Sequence, residues 1–242
     1  MKKALLVGID AYPTSPLRGC LNDIAAWKTI LVSLGFKIEI LLNSAAKKAS
    51  ILAAIDRLLT GAKSGDTLAF CYAGHGSKVK DLNGDESDGY DEVICPHDWP
   101  LYISDDDLRT KFAKIPTGVT LEVFLDSCYS GTATRGIDIT TRCIPGPITN
   151  GQPAKRVVAT VPGLNHILWA GCKSNQTSGE IVVGGITRGI FSYYVQKAIT
   201  KYPNLPRSEL IAAVQSTVAA KIANQTPQLE CIQTESLQRP FV

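Results

Sequence analysis

The sequence predicts an α/β fold in three layers, with helices on both faces of a central, mainly parallel six-stranded sheet. Two observations carry this. Short apolar runs of strand length alternate with segments of helical period through the first half of the chain. The same alternation resumes after residue 166. Residues 4–9 form an apolar run that ends at Asp10 and read as a buried strand. In residues 21–34, Leu21, Ile24, Ala25, Ile30, Leu31 and Leu34 recur at helical spacing, and Gly35 stops the helix. A second strand is expected over 37–42, a second helix over 47–60 closed by Gly61, and a third strand over 66–72. A short helix over 105–113 and a fourth strand over 120–125 follow. Strands that alternate with helices imply right-handed crossovers and a sheet covered on both faces.

Between residues 135 and 165 no period survives, and Pro145, Pro147, Pro153 and Pro162 punctuate the stretch, so it reads as a long loop. Order returns with a strand over 167–170, helices over 189–200 and 207–223 (Ser208 as cap of the latter), and a last strand over 228–232.

At 242 residues, 45 % hydrophobic and 19 % charged, the chain is that of an ordinary globular protein and not of a disordered one. Its net charge of +3 is too small to make nucleic acid or a membrane surface the main partner. The apolar run near the N-terminus is too short for a signal-peptide core, and no later run is long enough to span a membrane, so a soluble, cytoplasmic protein is expected. Seven cysteines, at 20, 71, 95, 128, 143, 172 and 231, form an odd, scattered set without Cys-x-x-Cys spacing, which fits reduced thiols.

In an open parallel sheet the reactive crevice lies beyond the carboxyl ends of the strands. Two such ends carry unusual residues: Tyr72-Ala73-Gly74-His75-Gly76-Ser77 and Asp126-Ser127-Cys128-Tyr129-Ser130-Gly131. Adjacent strands would present an imidazole and a thiol to one another. A free thiol is only a few per cent ionised at neutral pH, so a neighbouring imidazole that takes its proton makes it a nucleophile and can later protonate a leaving amine. The backbone N–H groups of Gly76 and Cys128 are the expected donors to a developing oxyanion. Either residue alone would read as a buried thiol or a satisfied loop histidine; the pair at corresponding strand ends reads as a catalytic dyad.

These two loops, with Arg18-Gly19-Cys20-Leu21-Asn22-Asp23, the acidic stretch 81–92 and Ile103-Ser104-Asp105-Asp106-Asp107-Leu108, resemble the metacaspases, within the caspase-like cysteine peptidases. Trp169-Ala170-Gly171-Cys172 and Gln225-Thr226-Pro227-Gln228-Leu229 extend the resemblance over nearly the whole chain. It implies one caspase-like peptidase domain of compact prokaryotic type, with residues 1–135 as the large-subunit-like part, 136–165 as linker and 166–242 as the small-subunit-like part. The implied reaction is hydrolysis after Arg or Lys through Cys128 and His75, in a protein expected to be a monomer. Two carboxylates, Asp23 and Asp126, would hold the basic side chain, with Arg favoured by its bidentate fork. Cys20 resembles the thiol lining that pocket. Ala73 stands where some relatives carry a hydroxyl. Asp23 as a helix cap and Asp126 as an acceptor for loop amides are the structural alternatives.

The segment 81–92 holds six carboxylates and no base, a crowding that invites a hard cation. Its sixth position is Glu86 instead of glycine, which rejects an EF-hand. By resemblance, calcium would be held by Asp91, Asp105 and Asp106. In the linker, Arg135, Arg142, Lys155 and Arg156 are reachable by an enzyme that cuts after basic residues, and the polar, proline-flanked Lys155 and Arg156 are the expected self-processing positions. Two other classes compete: a zinc site from Cys71, His75, Cys95 and His97, and a catalytically silent caspase-like scaffold.

Overall fold

A computed structural model describes residues 1–80, 89–128, 140–144, 158–160, 164–173, 176–222 and 224–242. The first unit runs β1 (Lys2–Gly8), α1 (Cys20–Ser33), β2 (Lys37–Leu42), α2 (Lys48–Leu59) and β3 (Thr67–Ala73). A small antiparallel sheet follows, made of β4 (Gly76–Lys80), β5 (Tyr90–Ile94) and β6 (Ile103–Ser104), and leads into α3 (Asp105–Phe112) and β7 (Thr120–Asp126). The remainder comprises β8 (Val158–Thr160), β9 (Ile167–Ala170), the hairpin β10 (Glu180–Val183) and β11 (Ile186–Gly189), α4 (Ile190–Lys201), α5 (Arg207–Ala219), β12 (Gln228–Cys231) and the short α6 (Gln233–Ser236).

The six expected strands form one sheet in the order β2-β1-β3-β7-β9-β12, parallel up to β9, with β12 antiparallel to it. The chain steps from β1 out to β2 and then back past β1 to β3. With right-handed crossovers α1 and α2 therefore fall on opposite faces. All seven residues of β3 are buried, as a strand covered on both faces requires.

Three expectations change. The linker, read as structureless, contributes β8, which pairs in parallel with β12 at the sheet edge. Its signal is the partner edge and not its own period. Ser208 is not the cap of α5: Pro206 occupies that place, where its fixed φ suits entry to a helix. Finally, β10–β11 is a hairpin closed by Gly184-Gly185, both at positive φ (59° and 81°), the two-residue turn whose twist matches antiparallel strands.

Behind the sheet, Phe124 is the hub of an aromatic cluster, stacked on Trp169 and tilted against Trp27 and Phe241, with ring centres 5.5, 4.5 and 5.8 Å away. Glu122 of β7 lies fully buried among them and accepts hydrogen bonds from Arg207 (2.6 and 2.9 Å), Trp169 Nε1 (2.7 Å) and the Phe241 N–H (3.1 Å). A buried carboxylate is tolerable only when so paired.

Candidate active site

Strand register brings the two chemical loops together. β3 and β7 pair with Ala73 opposite Asp126, so both loops leave the sheet at one level. Gly74 donates to the Asp126 carbonyl at 3.3 Å. A Cβ on Gly74 would lie 2.5 and 2.6 Å from the Tyr72 and Tyr12 hydroxyls, so only glycine lets this turn pass. Those hydroxyls clamp the next residue: Tyr12 accepts from the His75 N–H at 3.0 Å, and the Tyr72 hydroxyl donates to the His75 carbonyl at 2.8 Å.

The imidazole of His75 is buried, 4.5 Å from the Tyr12 ring. Its Nε2 lies 2.6 Å from the Ser15 carbonyl, an acceptor that fixes this nitrogen as the donor and leaves Nδ1 as the base. Nδ1 is buried with no hydrogen-bond partner among the described residues. Burial lowers the His75 pKa, against a smaller upward pull from the Ser15 and Arg142 backbones, so the ring is neutral at pH 7. Cys128 is fully buried, its Sγ 2.9 Å from the Ser178 carbonyl and in contact with the Ser178 N–H.

What fills the crevice is the chain itself. Segment 140–144 crosses it, bridged to Gly179 through Thr141 and to Gly76 through Cys143, with a bend at Arg142 between them. The Arg142 N–H donates to the Ser178 carbonyl at 3.0 Å, and the Ile144 N–H to the Gly76 carbonyl at 3.1 Å. The Arg142 carbonyl accepts from the N–H groups of both Gly76 (3.1 Å) and Cys128 (3.0 Å), the two donors expected for an oxyanion. A peptide added as a strand to both rims is how extended substrates bind.

The Arg142 guanidinium is fully buried on three carboxylates: Asp23 at 2.6 Å, Asp126 at 3.0 Å and Glu180 at 3.3 Å. Asp10 accepts from the Cys20 and Leu21 N–H groups and so caps α1, which frees Asp23 from that duty. Asp23 faces Arg142, Arg188 Nε (2.7 Å) and the Gly189 N–H (2.8 Å). Burial raises its pKa to about 6, although Arg142 pulls the other way. Asp126 is held by the Ser178 hydroxyl (2.7 Å) and the Ser192 N–H (3.0 Å). A Cβ on Gly189 would meet Asp126 Oδ2 at 2.2 Å and the guanidinium at 2.5 Å, so glycine makes the pocket floor. Cys20 is buried with its pKa pushed up by desolvation, a neutral thiol in the field of Arg142. Ala73 offers the site only a methyl group.

Glu180, Arg188 and Ser15 were absent from the sequence reading. The first two ride on the β10–β11 hairpin, whose Gly184-Gly185 between β-branched residues was a legible turn signal. Nothing in the local sequence marks the Ser15 carbonyl. Lys155 and Arg156 lie outside the described residues, as do 81–88 and the segment after Cys128.

On the small sheet, Asp105 is the first residue of α3, whose capping box joins Ser104 and Asp107. Arg109 pairs with Asp106 (2.8 Å) and Asp105 (3.3 Å). Asp105 Oδ1 is buried with no hydrogen-bond partner, and its carboxyl pKa is raised by burial and then by the charges of Asp106 and Asp91. Among the described residues, the group with three metal-capable atoms within 4.8 Å is instead Asp10, Cys20 and Glu180. Its carboxylates are already engaged by the N–H groups of residues 18–21. Cys71, His75, Cys95 and His97 form no such group.

A family model described as the metacaspase, peptidase C14 domain matches residues 2–136. Metacaspase-1 of Schizosaccharomyces pombe is 31 % identical, over 95 % of this chain and 67 % of its own length. Metacaspase-1 of Cryptococcus neoformans is 32 % identical, over 94 % and 62 %. The chain thus spans about two thirds of the length of these curated relatives. The crystal structure of a protein from Geobacter sulfurreducens matches at a TM-score of 0.76 with 26 % identity, covering 100 % of this chain and 98 % of that one.

Proposed function

Because this chain belongs to the metacaspase family of peptidase C14 domains, we propose that it is a cysteine endopeptidase cutting after Arg or Lys, and that its first substrate is its own Arg142–Cys143 bond. One observation supports this most: a linker arginine occupies the carboxylate pocket while its carbonyl sits between the Gly76 and Cys128 N–H groups.

Neutral His75 takes the Cys128 proton at Nδ1, while Ser15 holds the opposite ring nitrogen. The Cys128 sulfur attacks the Arg142 carbonyl carbon, and the two N–H groups carry the negative charge that develops on oxygen. His75 returns its proton to the departing Cys143 nitrogen, and water hydrolyses the thioester. In the uncut chain the thiol is tied to Ser178, and the buried Arg142 closes the pocket to other substrates. The enzyme is therefore latent until the segment is cut or lifted.

Three carboxylates around one planar cation favour Arg over Lys, because a fork bonds several of them while an ammonium is a point charge. Calcium belongs to the same proposal. Asp105, with an unmatched buried oxygen beside the charges of Asp106 and Asp91, is where a hard cation would first be held, and the other two carboxylates would have to draw in to join it. Bound there, the ion would neutralise these charges beside the β4–β5 sheet, whose first residue is Gly76.

The deciding experiment follows the purified chain with calcium by intact mass and N-terminal sequencing. A new N-terminus at Cys143 is expected, with Cys128→Ala staying whole. A first cut after Lys155 or Arg156 would refute the Arg142 assignment. Absence of hydrolysis of the chain and of Arg peptides would leave only the silent scaffold.

A further inference from the structure

The residue on the leaving side of the proposed bond is a cysteine, and that changes the fate of the acyl-enzyme. After attack by Cys128, the Arg142 acyl group is a thioester, and the departing group is the α-amine of Cys143 with a thiol on the adjacent carbon. An amine–thiol pair of this kind reacts with thioesters in a way that no other residue's amine can. We propose that the enzyme is also a thioester-mediated peptide ligase for N-terminal cysteine, and that Cys143 is its resident acceptor, making self-cleavage reversible.

The steps balance without any oxidant or second substrate. The Cys143 sulfur, giving its proton to His75, attacks the Arg142 carbonyl carbon; the Arg142–Cys128 thioester breaks and Cys128 leaves with that proton. The acyl group now sits on the Cys143 sulfur. The Cys143 α-amine attacks the same carbon through a five-membered ring, the sulfur leaves as a thiol, and the amide is restored.

Two features favour this return over hydrolysis. Cys143 is held after the cut by contacts independent of the broken bond: the Ile144 N–H on the Gly76 carbonyl and the Ser77 hydroxyl on the Ile144 carbonyl at 2.9 Å. An amine so placed competes with water as a positioned nucleophile, a class whose effective concentrations reach about 10⁵ M when well oriented. The reaction is also gated. In the intact chain, burial and the nearby Cys128 push the Cys143 pKa up to about 12, so the thiol is inert. Cutting makes it an N-terminal cysteine beside its own ammonium, which favours the thiolate. Permanent activation then requires the new N-terminus to leave the crevice.

This inference rests on self-cleavage at Arg142, and its test separates the two. The full chain is incubated with calcium and an excess of Cys-Ile-Pro-Gly carrying a C-terminal dye, or of the matching Ser-Ile-Pro-Gly peptide. The expected product is fragment 1–142 joined to the cysteinyl peptide by a hydroxylamine-resistant amide, at about ten-fold the yield of the seryl peptide. In parallel, Cys143→Ser should accumulate the nicked form several-fold faster than the parent. Fragment 1–142 ending in a free carboxylate, with equal incorporation of both peptides and equal nicking rates, overturns ligation and leaves self-cleavage standing. Absence of fragment 1–142 in any form overturns both.

Discussion

Arg142 is the residue on which the proposed latency turns. It pairs with three carboxylates that the fold has already desolvated, so removing it alone leaves uncompensated buried charge. Arg142→Ala should lower stability by about 3 kcal/mol in urea unfolding. The same variant should hydrolyse Arg peptides from the first minute, without the lag expected of the parent; a lag of equal length would show that Arg142 is not the plug. Asp23 adds a pH dependence with a definite sign. Its folded pKa of about 6 exceeds the ordinary 3.8, so the folded state binds the extra proton between those values. Its contribution to stability is therefore fully present below 3.8 and is lost as pH rises through about 6. The guanidinium needs the opposite form. Self-cleavage and Arg-peptide affinity should fall as pH drops below about 6, and a pH profile that stays flat down to pH 5 would dissociate Asp23 from substrate binding.

At the level of elements, the pocket is assembled by α1, the end of β7 and the β10–β11 hairpin. That hairpin supplies Glu180 on one strand and Arg188 and Gly189 on the other, so a two-residue glycine turn sets the spacing of a charge network far from the turn itself. The start of α3 is the second charged element. Its three consecutive aspartates favour the helix N-terminus, yet Asp105 keeps a buried oxygen without a partner. If that oxygen serves a cation, calcium at about 100 times its dissociation constant stabilises the fold by about 2.7 kcal/mol. Asp105→Asn should lose this gain, read as a rise in Tm with calcium in the parent and none in the variant. An unchanged parent Tm across a calcium titration would remove the ion from the proposal.

Over the whole molecule, the proposed cut falls between two strands that are neighbours in the sheet. β7 precedes residue 142 and β9 follows it, and they pair through Glu122–Ile167 to Leu125–Ala170. Glu122 reaches across this seam to Arg207 and the Trp169 ring nitrogen, and the aromatic stack crosses it as well. Cutting the backbone there leaves these contacts whole. The nicked protein should elute from a sizing column where the intact chain does, showing two bands only under denaturing conditions. Separation of fragments 1–142 and 143–242 in native buffer would mean that the sheet does not hold across the seam. No helix among the described residues is long and apolar enough to cross a membrane.

From the sequence alone came the alternation of strands and helices, the six-stranded sheet, and the His and Cys loops at the ends of adjacent strands. Each is written in local periods and turn residues, which a chain reveals without its partners. Asp23 and Asp126 were legible too, as carboxylates near two strand ends. Only the tertiary structure placed Arg142 on the carboxylates, added Glu180 and Arg188, and found the Ser15 carbonyl behind His75. β8 belongs with these, as a strand drawn out by the edge of β12. Arg142 lies 119 residues from Asp23, and Arg188 lies 165 residues from it. No periodicity encodes contacts over such separations; they arise when packing of the sheet and its helices brings the strand ends, α1 and the hairpin around one desolvated cation.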